Sequence, residues 1–221
     1  MPRNKNRNPF HMKKIKDAII STVATIVVLF LSGWLCVMGS ITLFKLTLLG
    51  ECLSWECAPK RPFTVVDLGL PSKLFPIHTI YNSIEYRDDD NAATLLTGYQ
   101  KFQWENEKGG GTYTVDMYSS NRTAFSGFKI DKNATFFSNW GETKVFWSKP
   151  EELTYESPLA DDFFMACSKI SIDDLRCGAI GRYQEFVIFT SVTLNGGMNF
   201  ISFQEIVIYM DKQISNYLYG K

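Results

Sequence analysis

The chain has 221 residues, 45% of them apolar and 21% charged, with 23 basic and 23 acidic side chains and no formal net charge. The balance hides a split: residues 1–17 hold Arg3, Lys5, Arg7, Lys13, Lys14 and Lys16 against Asp17, a net of +5, and the rest of the chain is correspondingly −5. A basic run this short on an acidic body excludes a nucleic-acid surface.

After the tail, residues 18–44 contain no charged side chain over 27 positions. As a helix rising ~1.5 Å per residue, such a run reaches roughly 40 Å, beyond the ~30 Å hydrocarbon core of a bilayer. It predicts a single membrane span of the signal-anchor kind. The basic tail, 1–17, stays in the cytoplasm under the positive-inside rule, and everything after the span is delivered outside. A cleaved leader is the competing reading, with Val37-Met38-Gly39 as its best cleavage site, but the apolar run is longer than the ~7–15 residues usual there. Gly33, Cys36, Gly39 and Ser40 recur at helical spacing and form a small-residue strip on which another membrane subunit could pack. Lys45 and Trp55 suit the membrane interface just past the span.

Residues 45–62 read as a juxtamembrane linker and 63–221 as one extracytoplasmic domain, long enough for a core of its own. Outside the cytoplasm, an even set of cysteines implies disulfides. Cys36 falls in the span, leaving Cys52, Cys57, Cys167 and Cys177; of three possible pairings, the local one, Cys52–Cys57 with Cys167–Cys177, is favoured. Their spacing does not match the paired C-x2-C pattern of a zinc site, and His78 is the domain's only histidine. Asn121 and Asn133 begin N-x-T glycosylation sequons, relevant where the host glycosylates.

Along the domain, residues 63–68 are rich in β-branched side chains between prolines and predict a first strand, and 77–86 predict a second. Residues 98–105 set Phe102 and Trp104 against Lys101 and Gln103. After a glycine loop, Tyr113, Val115 and Met117 alternate with Thr112, Thr114 and Asp116, so the two runs form a hairpin with one buried face. Residues 119–137 lack a clear period and read as irregular or weakly helical. Residues 143–147 predict a short strand. Ser157, Pro158 and the acids behind them carry helix-start signals, so 157–166 predict a helix. Residues 182–194 are apolar on both faces and predict a central strand.

The last helix opens on a Ser202-to-Glu205 capping box, with Ile201 and Ile206 as a hydrophobic staple. Phe203, Ile206, Val207, Met210, Ile214, Tyr217 and Leu218 form its apolar stripe, and Asp211 falls among the residues assigned to the opposite face. The fold class is therefore α+β: one N-terminal transmembrane helix, then a single extracytoplasmic domain with a mainly antiparallel sheet and a C-terminal amphipathic helix packed on it.

Chemical signatures are sparse. No phosphate loop, nucleophile elbow or metalloprotease motif occurs, and no cofactor or resident metal is expected. Acid pairs occur at Asp161-Asp162, Asp173-Asp174, Glu105 with Glu107 and Glu151-Glu152, each with an ordinary role in a turn or helix start. The oxygen-rich run from Asp88 to Asn91 lacks the glycine and distal glutamate of a calcium loop. These features favour a non-enzymatic binding or assembly module held in the lipid bilayer, an accessory subunit of a membrane complex. The alternative is a carboxylate-dependent hydrolase acting on glycans outside the cytoplasm.

Overall fold

A computed structural model describes residues 22–23, 25–41, 57–75, 80–87, 96–106, 109–137, 146–169, 175–194 and 198–220. The chain divides into two compact units, Met1–Leu48 and Leu49–Lys221. In the first, residues 25–41 form helix α1, whose side chains are exposed all round, with Phe30 and Leu35 each at 70%. Among the described residues no helix is long and apolar enough to cross a membrane. Of the span expected over 18–44, residues 22–23 and 25–41 are helical, and residues 18–21, 24 and 42–44, with Lys45 and Trp55, lie outside the described residues.

The second unit is built on a six-stranded antiparallel sheet: β1 (Ile80–Arg87), β2 (Leu96–Asn106), β3 (Gly109–Tyr118), β4 (Asp162–Lys169), β5 (Leu175–Tyr183) and β6 (Phe186–Leu194), in the order β1-β2-β3-β6-β5-β4. Helix α2 (Asn121–Lys132) covers one face and α3 (Phe200–Tyr219) the other. The mixed α+β architecture and the antiparallel sheet are as the periodicities predict.

The β2–β3 hairpin follows its alternating pattern: Phe102 pairs with Tyr113 and Trp104 with Gly111. A side chain at Gly111 would run into the Trp104 indole, so the glycine makes room for a buried ring. Tyr113, Val115 and Trp104 face α3 within the larger core, and β6 sits centrally between β3 and β5. From α3, Phe203, Ile206, Val207, Met210 and Ile214 are fully buried, which stabilises the unit by about 10 kcal/mol at ~1.5–3 kcal/mol per side chain. Tyr217 stays 41% exposed at the end of that stripe.

Five local expectations need correction. Residues 63–68 form no strand: Val65–Leu68 is a 3-10 turn, because the Thr64 amide donates to Asp67 Oδ2 at 2.8 Å and closes the chain locally. Nor do 157–166 form a helix. Ser157 Oγ accepts from the Leu159 and Ala160 amides at 3.2 and 2.8 Å, which makes a turn, and the chain then enters β4. The predicted run 182–194 breaks at Gln184-Glu185, with Gln184 at φ 56°, into two strands of a tight hairpin. Helix α3 is capped by Asn199, whose Oδ1 accepts from the Ser202 amide at 2.9 Å, so Ser202 lies inside the first turn and Ile201 points outward. Phe146 and Trp147 lie in no strand; Ser148 makes an isolated bridge to Cys167, and residues 143–145 are outside the described set.

The undecided stretch 119–137 contains α2. Ser120 caps it by accepting from the Thr123 amide at 3.2 Å, and Ala124 and Phe128 bury against the sheet.

Candidate functional site

A cleft of about 440 Å³ opens at one end of the sheet. One wall is the strap of residues 57–65; the other comes from the start of β2 (Thr97, Gly98), the end of β3 (Met117, Tyr118) and the β5–β6 turn (Glu185). The strap is fixed along its length. Cys57 bridges Ser120, and the Ala58 amide donates to the Ser119 carbonyl at 2.8 Å. Phe63 stacks on Phe186 at 5.5 Å and meets Tyr217 of α3 at 4.8 Å, and the Tyr113 hydroxyl donates to the Leu68 carbonyl at 2.6 Å.

The charge in the cleft is already matched. Arg61 donates from Nε to Glu185 Oε1 at 2.5 Å and from Nη2 to Oε2 at 3.0 Å, with a further bond to Gln184 Oε1 at 2.5 Å. Glu185 is 1% exposed, so a bidentate guanidinium is what makes its burial tolerable. Around this pair the walls are apolar (Phe63, Val65, Met117, Tyr118), and Lys60 stands exposed on the strap. Such a surface is suited to taking up an apolar side chain beside a cation.

The sequence-level carboxylates do not gather in this cleft. Asp162 and Asp161 both hold Arg182, at 2.6 and 3.2 Å, and Asp161 also accepts from the Gln184 amide at 2.7 Å. Glu105, Glu151 and Glu152 are exposed. His78, Glu107, Asp173, Asp174 and the run from Asp88 to Asn91 lie outside the described residues. Among the described residues, no group of three or more His, Cys, Asp or Glu side chains is placed to hold a metal ion.

Two acid sites escaped the sequence reading, one buried and one half-buried. Asp211, assigned to the solvent side of α3, is fully buried and accepts hydrogen bonds from the Tyr155 and Tyr183 hydroxyls. Burial, together with that carboxylate, pushes both phenols far up. Its position is legible in retrospect, since 211 follows Val207 by four and precedes Ile214 by three, on the apolar stripe. Asp116 lies on the β3 face beneath α2, opposite Tyr99 and Val187, with Oδ1 buried and without a hydrogen-bond partner. Burial, and then the charge of Asp131 on α2, push Asp116 up to about 7; burial raises Asp131 as well. Nothing in its Thr-x-Thr-x-Asp alternation distinguishes Asp116 from a solvent-facing residue.

Cys167 and Cys177 form a disulfide directly across β4 and β5. Cys57 is disulfide-bonded too, and its partner falls outside the described residues, as does Cys52. Cys36 is free and exposed on α1, where Gly33 and Gly39 face open space and the Ser40 hydroxyl donates to the Cys36 carbonyl at 2.8 Å. Asn121 and Asn133 are exposed at the two ends of α2. The Thr123 hydroxyl of the first sequon is occupied in the helix cap, where it donates to the Ser120 carbonyl at 2.8 Å.

The domain is α+β, and its cystine fits an oxidising, extracytoplasmic compartment. No family model matches the chain, and no curated protein matches it. Among solved structures, it is similar to the extracellular domain of PknH from Mycobacterium tuberculosis, with a TM-score of 0.41 and 11% identity over 71% of this chain and 97% of that one, a likeness too loose to carry an argument.

Proposed function

We propose that this chain is a single-pass protein, anchored through the apolar run at 18–44 with its N-terminus in the cytoplasm, whose outer domain is a non-enzymatic binding module in a membrane assembly. The observation that carries this reading is the cleft: apolar walls, an exposed cation at Lys60, and a carboxylate already neutralised by Arg61. Hydrolysis of a glycosidic bond needs two carboxyl groups about 5–9.5 Å apart across the substrate. Among the described residues this cleft presents Glu185 alone, and Arg61 occupies both of its oxygens. The Gly33, Cys36, Gly39 and Ser40 strip supports a packing partner within the bilayer, since small residues allow close helix approach.

The test is to extract the full chain from native membranes in mild detergent and size it. Co-migration with a larger assembly, lost in Lys60→Glu at unchanged melting temperature, is the expected result. A lone monomer in both forms, or release of the wild-type chain from membranes by alkaline carbonate, overturns the reading.

A further inference from the structure

The outward face of α2 carries cations and apolar side chains together. Arg122, Phe125, Ser126, Lys129, Ile130 and Asn133 are exposed along it at helical spacing, with Ile130 at 63%. The helix's one acid, Asp131, is half-buried and shares the inward positions of Ala124 and Phe128. Past the helix the apolar surface continues. Phe137 is 57% exposed and its ring meets Phe164 of β4 at 5.5 Å. Phe136 meets Phe164 and Trp147 at 4.9 and 4.8 Å, and Phe146, next to Trp147, is 78% exposed. Lys129 lies over the Phe125 ring at 4.2 Å and Lys132 over Phe164 at 5.7 Å, so cations and rings interleave. At one corner Arg182 lies over Phe125 at 5.6 Å, but Asp161 and Asp162 hold it and cancel its charge.

On a body that is otherwise acidic, α2 thus presents Arg122 and Lys129, flanked by Lys132, and among the described residues no exposed acid. Large apolar side chains beside cations suit the boundary between hydrocarbon and anionic headgroups, where the rings leave water and the charges stay level with phosphates. The tether favours lipid over an acidic protein as the occupant. The chain enters the domain at the start of this same helix: Cys57 bridges Ser120, the α2 cap, and the Ala58 amide donates to the Ser119 carbonyl at 2.8 Å. Twelve residues, 45–56, separate that point from the apolar run. Their reach is at most about 45 Å.

We propose that this face of α2, with Phe137 and Phe146, rests on the anionic headgroup layer of the bilayer that holds the chain. Arg122, Lys129 and Lys132 meet lipid phosphates, while Ile130, Phe137 and Phe146 enter the interfacial layer. The choice of occupant rests on the anchored reading above, because the tether brings lipid within reach; the chemistry of the face does not. A glycan on Asn121 or Asn133 would stand between the helix and the lipid, so neither sequon is occupied in the docked protein.

The full chain in nanodiscs tests this, with Cys36→Ser removing the free thiol and Ser126→Cys carrying an environment-sensitive fluorophore. Discs of phosphatidylcholine are compared with discs holding about 30% phosphatidylglycerol, both with brominated tails. Quenching is expected to be about threefold or more stronger in the anionic discs and to fall to the neutral value at roughly 0.5 M salt, where headgroup attraction is screened. Arg122→Gln with Lys129→Gln is expected to erase the difference between the lipids, and Ile130→Ser with Phe146→Ser to weaken quenching in both, each at unchanged melting temperature. Equal quenching in the two disc types overturns the proposal, as does a label equally shielded in detergent without lipid, which marks a protein contact. Absent quenching in a chain that resists alkaline carbonate removes the docking and leaves the anchor. A chain that carbonate releases, yet that binds anionic vesicles and loses them in Arg122→Gln with Lys129→Gln, removes the anchor and leaves the lipid-binding face.

Discussion

Arg61 reaches across 124 positions of sequence to hold both oxygens of Glu185, tying the strap that opens the domain to the turn joining β5 and β6. The carboxylate is buried, so the bond is asymmetric in its consequences. Arg61→Ala strands a charge and is expected to destabilise the domain by about 3–5 kcal/mol, whereas Arg61→Met with Glu185→Met removes both charges and recovers most of that loss. Urea-unfolding midpoints of the single and double variants are the measurement.

The phenols around Asp211 make a second case. Tyr183→Phe deprives a fully buried carboxylate of a donor and is expected to cost about 1–3 kcal/mol. Tyr155→Phe costs less, since Tyr155 is only partly buried and water can substitute. Because both bonds end on one carboxylate, the double variant is expected to depart from additivity by about 0.5 kcal/mol or more.

Tyrosine absorbance gives an independent check on the same burial. Tyr113, Tyr118, Tyr155 and Tyr183, four of the ten tyrosines, are all raised above the ordinary phenol range, desolvation being the first cause in each. An alkaline titration is expected to show them ionising late, in one step with unfolding. Four ordinary phenol titrations in the native protein would contradict the packing described.

Gly127→Ala sets two effects against each other. Alanine favours a helix over glycine by about 1 kcal/mol, but the added methyl meets the Tyr118 ring, and overpacking costs typically 1–3 kcal/mol. The clash prevails because Tyr118 is 94% buried and flanked by the core. Net destabilisation is expected, with Tyr118→Leu relieving it.

The Cys167–Cys177 bridge closes a loop of sequence separation 10, for which loop-closure entropy gives about 3 kcal/mol. Reduction, or Cys167→Ser with Cys177→Ser, is expected to lower stability by that order. A non-reducing peptide map that links these two cysteines checks the pairing directly.

Legibility in the sequence followed locality. Phe102, Trp104, Tyr113 and Val115 announced their hairpin because strand alternation is a local signal, and Phe203 to Ile214 announced α3 for the same reason. The run from Ser157 imitated a helix start, since a capping serine, a proline and acids also suit a turn leading into a strand. Neighbouring strands decided the matter, and β4 is fixed by eight register pairs with β5. The cleft was not legible at all: Arg61, Gly98, Tyr118 and Glu185 meet only once the sheet has formed.

The strand order has a kinetic corollary. Three consecutive strands, β1 to β3, lie on one side of the β3–β6 seam and three, β4 to β6, on the other, so the strand pairings within each half are short-range in sequence. Each half can therefore collapse early, and joining them along residues 111–117 and 186–192 is the entropically expensive, late event. Substitutions in the early hairpins should retard folding, whereas those at the late-joining seam should mainly hasten unfolding.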